Sequence, residues 1–320
     1  LYLDRADAAG LGPIEIKMMT DGGYDKEFSS CVTAASAIIG PIIPPSNIMI
    51  IYAGCVGTVS VGKMFLAGAI PGILLGIAYM IFCYWISVKR KYPCRKTRAT
   101  WKEIGHATWE TLPALLLPII IMGTITLGIC TATESSAIAV IYSTIVAACK
   151  KNLSIKSFCR ACIRSAKAAA NVLFIIAISS AMAWAVTTLG VAQALTNFCV
   201  AYINNKIVFL LFVNVLLLLI GMLLDASPAL LLMVPILWPV AKTLGIDAIH
   251  FGVMVCFNLM VGTLTPPVGM MLFIVSNVGK VKLSVMYKGI LPFVAVAVVV
   301  LLLITYVPSL TTWLPGVLMP

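Results

Sequence analysis

Charge is scarce in this chain, and acidic charge most of all. Of 320 residues 10% are charged, 11 are acidic and two are histidine. A soluble chain averages about 25% charged residues, so a large solvated surface is excluded. His106 and His250 stand at the edges of apolar runs, with no partner at metal-ligand or catalytic spacing. The chain has no GxGxxG loop and no GxxxxGK[ST] motif, so nothing points to nucleotide use. No cofactor is expected, and the protein reads as a non-enzyme. The ten cysteines are scattered, and Cys159 with Cys162 is the one close pair. Without a second pair or a histidine cluster, that spacing reads as small apolar residues and not as a zinc or redox site.

What is present is hydrophobic, at 61% of the chain. Residues 207–224 and 291–307 are runs of transmembrane length with almost no charge. The fold class is an all-α polytopic membrane protein. The net charge of +11 does not imply nucleic acid, because it is concentrated in two stretches. One holds Lys89, Arg90, Lys91, Arg95, Lys96, Arg98 and Lys102. The other holds Lys150, Lys151, Lys156, Arg160, Arg164 and Lys167. Short basic connections between apolar spans mark cytoplasmic loops.

An internal repeat organises the rest. Adding 222 carries Gly40, Pro44 and Pro45 onto Gly262, Pro266 and Pro267, Gly23 onto Gly245, and Asp25 onto Asp247. An offset of 221 carries Gly68 and Pro71 onto Gly289 and Pro292. Paired, broken hydrophobic segments in two halves point to a secondary transporter's binding site. The second unit begins near Thr111, and its counterpart would start before Leu1. The first unit is therefore expected to lack its opening helices, as a fragment would.

The expected organisation has four parts. Residues 1–88 are the later part of the first repeat, with a re-entrant hairpin over about 29–56. Residues 89–110 are a basic cytoplasmic loop. Residues 111–307 are the second repeat, with a re-entrant hairpin over about 251–278, and 308–320 are a C-terminal tail. Each hairpin arm is about 11 residues, too short for a core of about 30 Å. Residues 207–241 read as one discontinuous helix broken at Asp225-Ala226-Ser227-Pro228. Five crossings between the hairpins make the repeats inverted.

Broken backbone at membrane depth frees carbonyls and amides, each costing several kcal/mol unless protein, water or an ion takes it. Carbonyls and hydroxyls suit a small hard cation, and helix N-termini suit an anion. The candidate residues are Gly40, Pro44, Pro45, Ser46 and Asn47 at the first break and Gly262, Thr265, Pro266, Pro267 and Gly269 at the second. Asp225 and Ser227 stand at the third, and Thr131, Thr133 and Glu134 at a further interruption. Asp225 is a carboxylate amid apolar sequence, which points to a cation ligand or proton carrier. It is also a good helix cap with Ser227 and Pro228 behind it. Thr131 and Glu134 have the same two readings.

GPIIPPSNIMIIYAG (40–54), GICTATESSAIAVIY (128–142), GMLLDASPALLLMVPILWPV (221–240) and GTLTPPVGMMLF (262–273) resemble the large membrane subunit of TRAP transporters, the DctM-like family. That resemblance implies an elevator-type transporter of the bacterial inner membrane, importing dicarboxylates, sialic acids or other sugar acids by sodium symport. Its implied partners are a small four-helix membrane subunit and a periplasmic solute-binding protein. Ser46, Asn47, Asp225, Ser227 and Thr265 become the sodium candidates. The family's Gly-Ser-Ser before Ala6-Asp7-Ala8 is replaced here by Tyr2, Leu3 and Asp4, which leaves the first-half cation site incomplete. Three alternatives stay open: an ion channel or uncoupled anion pore, an intramembrane enzyme using Glu134 with Asp225, and an inactive truncated remnant.

Overall fold

The structure, a computed structural model, describes residues 11–93, 100–150, 154–190 and 205–319. Among these residues the regular structure is helical, with no strand. Among the described residues five helices are long and apolar enough to cross a membrane. The chain divides into two compact units, one of residues 1–92 with 172–320 and one of residues 93–171.

The first unit holds helices α1 (Gly12–Asp21), α2 (Lys26–Ala37), α3 (Asn47–Val56) and α4 (Val61–Lys89). With 29 residues α4 is about 43 Å long. Asp25, just ahead of α2, pairs with Arg90 at the far end of α4 at 3.3 Å. Val56, closing α3, lies five residues before α4 begins. The α2–α3 pair thus starts at one end of α4 and finishes at the other. It is a crossing helix broken in the middle, where the sequence led us to expect a re-entrant hairpin over 29–56.

Beyond the second unit come α8 (Lys206–Leu223), α9 (Ala226–Thr243), α10 (Ala248–Leu264), α11 (Met270–Gly279), α12 (Leu283–Tyr306) and α13 (Ser309–Leu318). The last of these occupies the C-terminal tail. The Lys206 ammonium reaches the Gly245 carbonyl at 3.4 Å, so α8 and α9 leave from the same end. They form the hairpin, and residues 224–225 are its tip. The Tyr52 hydroxyl of α3 donates to the Ala248 carbonyl at 2.8 Å. At its other end the α10–α11 pair sets Gly279 against Ser30 and Ile16. This pair therefore also crosses, in the direction opposite to α2–α3. The two readings are exchanged relative to the sequence expectation: 206–243 returns and 248–279 crosses. The cause is that both patterns are two apolar arms around a breaker, and only contacts between distant residues distinguish them.

Helix α10 is the core of this unit. Every residue from His250 to Leu264 is buried, packed by α8, α9, α12, α3, α4, α11 and α13. A helix that is apolar all round has no polar face to turn outward and so ends up enclosed. The loops ahead of the two crossing pairs correspond at the 222 offset. Gly23 and Gly245 both have positive φ, and Asp25 and Asp247 follow as N-caps.

The second unit holds α5 (Trp101–Thr126), α6 (Ala132–Cys149) and the start of α7 (Ile155–Thr188). The Tyr142 hydroxyl donates to the Pro113 carbonyl at 2.8 Å, and Thr124 meets Ser135 at 2.8 Å, so α5 and α6 are antiparallel. Residues 101–110 and 155–167, expected as basic loops, are helical. Lys156, Arg160 and Arg164 recur every four residues, which places them along one helix face. Charge alone had marked them as loop, but lysine and arginine are good helix formers.

Candidate functional site

Three chain breaks lie inside the first unit: residues 38–46, 224–225 and 265–269. Helix α2 brings the first to about 18 Å from the Arg90 end, and α11 brings the third to about 15 Å from it. The hairpin tip meets the third break directly, because the Gly269 amide donates to the Met222 carbonyl at 3.2 Å. Near this level α2, α8 and α10 end with carbonyls, and α3, α9 and α11 begin with amides. Carbonyl ends attract cations and amide ends attract anions.

At the hairpin tip, Asp225 is half-buried and caps α9, its Oδ1 accepting from the Ala226 amide at 2.9 Å. Ser227 is buried in the first turn of α9. Gly262 lies against the backbone of Gly221, whose Cα is 2.7 Å from where a Cβ on Gly262 would stand. No other residue lets these helices meet so closely. Gly269 has φ +56°, in the left-handed region that glycine occupies without penalty. Thr265 caps the end of α10, and its hydroxyl donates to the Val261 carbonyl at 2.8 Å. The oxygen's lone pairs remain for a ligand. Pro267 is exposed, and its carbonyl accepts from the Tyr287 hydroxyl of α12.

The first break packs differently. The Ile42 carbonyl lies 2.8 Å from where a Cβ on Gly68 would stand, and Ile43 covers Gly72, both on α4. Ser46 is buried and caps α3, accepting from the Met49 amide at 3.4 Å and donating to the Pro41 carbonyl. Gly40 and Asn47 are exposed, and Pro44 and Pro45 are intermediate. Both Pro44–Pro45 and Pro266–Pro267 are cis. Helix α3 packs on α9, which Asp225 caps. Ala6, Asp7 and Ala8, with Tyr2, Leu3 and Asp4, lie outside the described residues.

Thr131, Thr133 and Glu134 belong to the second unit and are exposed. Thr131 and Glu134 form a capping box. Glu134 Oε2 accepts from the Thr131 amide and hydroxyl, both at 2.8 Å, and Thr131 Oγ1 accepts from the Glu134 amide at 3.3 Å. Those groups satisfy donors at the start of α6 that would otherwise be unpaired.

A buried polar chain escaped the sequence reading. The Asn258 amide nitrogen donates to the Asn214 carbonyl at 3.0 Å and to its side-chain oxygen at 2.8 Å. Asn214 donates to Thr305 Oγ1 at 3.0 Å. His250 is 1% exposed and meets the Thr305 carbonyl at 3.2 Å and Thr311 Oγ1 at 2.9 Å. It stands in the first turn of α10, at the edge of the helix as expected, but it is buried and partnered. The chain fastens α8, α12 and α13 to α10, the helix that carries Gly262 and Thr265. Asparagines inside apolar runs were the available signal, since a buried amide must find partners.

Comparison with known proteins places this arrangement. Residues 4–310 match the family model for the tripartite ATP-independent periplasmic transporter, DctM component. The chain is 40% identical over 316 residues to the sialic acid TRAP transporter permease protein SiaT of Haemophilus influenzae, covering 98% of this chain and 51% of that protein. It is 40% identical over 311 residues to the sialic acid TRAP transporter large permease protein SiaM of Vibrio cholerae, covering 97% of this chain and 72% of that protein. It is 34% identical over 312 residues to the C4-dicarboxylate TRAP transporter large permease protein DctM of Pseudomonas aeruginosa, covering 97% and 73%. The chain therefore spans about half the length of the first relative and nearly three quarters of the other two.

Proposed function

The chain belongs to the DctM component family of tripartite ATP-independent periplasmic transporters, multi-pass proteins of the bacterial inner membrane. From that premise we propose that it is the large permease of a sodium-coupled importer of small carboxylates. A periplasmic solute-binding protein delivers the solute, and a small four-helix membrane subunit completes the translocator. The relatives named for sialic acid and for C4-dicarboxylates share the carboxylate as recognition handle.

One observation carries the reading: the hairpin tip at Asp225 is tied to the break at 265–269 through Gly269 and Met222. Helix ends of both polarities thereby gather inside the bundle. In this reading the amide ends of α9 and α11 take the carboxylate. The hydroxyls of Ser46, Ser227 and Thr265, the Asn47 side chain, the Asp225 carboxylate and break carbonyls take the sodium ions. Oxygen donors of this kind suit a hard monovalent ion, and the adjacent cation lowers the cost of holding an anion out of water. Arg90 and the basic stretch beyond α4 put that end of the unit in the cytoplasm. The α8–α9 hairpin then opens to the periplasm, and elevator movement of the broken helices carries the site across.

Uptake into proteoliposomes tests this directly. They would hold the full-length protein with its small membrane subunit, with binding protein and labelled sialic acid or succinate outside. Uptake that needs both an inward sodium gradient and the binding protein is expected. Uptake indifferent to the gradient would instead make the protein a pore or facilitator.

A further inference from the structure

Away from the breaks, at the Arg90 end of the first unit, α2, α4 and α12 line a half-open cavity of about 440 Å³. Its floor is aromatic. Phe28 and Phe293 are 6% and 1% exposed, with ring centroids 6.2 Å apart. Its walls are charged: Arg90, Lys288 and Glu27 line it, with Ser284 beside them. The Arg90 guanidinium lies 5.6 Å over the Phe28 ring, which directs it across the floor. Asp25 pairs with Arg90 from outside the cavity, and among the described residues Lys288 has no carboxylate partner. The lining thus presents two cations and Glu27, with Asp25 offsetting Arg90 from outside and Lys288 left for an occupant.

The surroundings set the level of this cavity in the membrane. Tyr84, Trp85 and Val88 on the last turns of α4 are exposed, and Lys89 sits 5.0 Å over the Trp85 ring. Exposed tyrosine and tryptophan beside lysine mark the head-group layer. A cavity there is bounded by hydrocarbon on one side and water on the other. An occupant that offers negative charge to Arg90 and Lys288 and an apolar body to Phe28 and Phe293 fits it. Basic pockets between membrane helices on the cytoplasmic side bind lipid head groups in this way.

We propose that this cavity is a binding site for the phosphate of an anionic phospholipid of the inner leaflet, gripped by Arg90 and Lys288. A phosphodiester presents negative oxygens to both cations, and guanidinium groups bind phosphate oxygens in pairs. The site lies where α12 follows α11, beside the helices that carry the third break.

The test is lipid retention by the full-length protein purified in mild detergent, read by native mass spectrometry. Phosphatidylglycerol, phosphatidylcholine and sn-glycerol 3-phosphate are each titrated in. Phosphatidylglycerol should bind at least fivefold more tightly than phosphatidylcholine, and glycerol phosphate hardly at all. Lys288→Gln should remove most of that preference, and Glu27→Gln should strengthen it. Lys280→Gln and Lys282→Gln, outside the lining, should leave it unchanged. Lys288→Gln leaves the Asp25–Arg90 pair intact, so a single gel-filtration peak is expected with reduced retention. Equal binding of the two lipids would overturn the proposal, as would glycerol phosphate binding as well as the lipid. Full retention by Lys288→Gln would overturn it as well.

Discussion

The two crossing helices of the first unit break at corresponding positions and are built differently there. Helix α2 has 12 residues and α10 has 17, although both begin at the same point of the repeat. The difference traces to one position. Pro41 stands where the second copy has Thr263. Proline supplies no amide and forces the preceding residue out of the helical region, so α2 ends before Gly40. Thr263 instead bonds its hydroxyl to the Met260 carbonyl at 2.7 Å, and α10 runs on to Leu264. The first break is thus a wide loop held by Ser46 from within. The second is a tight one, held from outside by Tyr287 and by the hairpin tip. Two copies of one sequence pattern yield a wide break packed on Gly68 and Gly72 of α4 and a tight one packed on Gly221 of the hairpin.

The sharpest way to break that contrast is to enlarge its glycines. Gly262→Leu must push against the Gly221 backbone, and overpacking of this kind costs about 1–3 kcal/mol or more. Uptake should fall by about a hundredfold with the protein still monodisperse, whereas the exposed Gly40→Leu should change it by less than about threefold. Equal effects would mean the two breaks are equivalent. Next in size is Asp225→Asn. Asparagine keeps the oxygen that caps Ala226 and removes the charge, so capping stays while sodium-dependent uptake drops about tenfold, or 1.4 kcal/mol. Unchanged uptake would reduce Asp225 to a cap.

Tyr287→Phe frees the Pro267 carbonyl and costs about 1 kcal/mol, or about fivefold in uptake at most. At the 221 offset that holds along this helix the first copy has Leu66, an apolar residue, at the same point. The smallest effect is expected of Ser46→Ala, which removes a cap and one of the several oxygens proposed for sodium, so uptake should fall about twofold. Losing a cap costs about 1 kcal/mol, which should show as a modest fall in detergent melting temperature. Val268→Ala, at the corresponding point of the second break, should leave that temperature alone.

Apolar runs located the helices of the first unit, and proline pairs or Asp225 marked its three breaks. The 222 offset also aligned the loops at Gly23 and Gly245 before any coordinates. What could not be read was direction. Whether a broken pair returns or crosses depends on Lys206 finding Gly245 and Asp25 finding Arg90, contacts between residues 39 and 65 positions apart. Local pattern carries no information about either. The same holds for His250, whose partners Thr305 and Thr311 are 55 and 61 residues away. Asp225, Glu134 and Ser46 were legible because a polar residue in apolar sequence must be satisfied, and each does serve as a helix cap. At Asp225 the charge-removing substitution separates the cap from the proposed sodium ligand.

Helix α10, enclosed from His250 to Leu264, has a bearing on how such a protein can diverge. A helix with one lipid-facing side can exchange leucine for valine or phenylalanine there at little cost. Along α10 every side chain is shared with some neighbour, so a change must be matched by a second change on another helix. In a saturation scan it should stand out as an uninterrupted band of intolerance, where the outer helices show stripes every three or four residues. Attempts to retarget the transporter to a new solute would then begin at the residues around the breaks and leave this central rod as inherited.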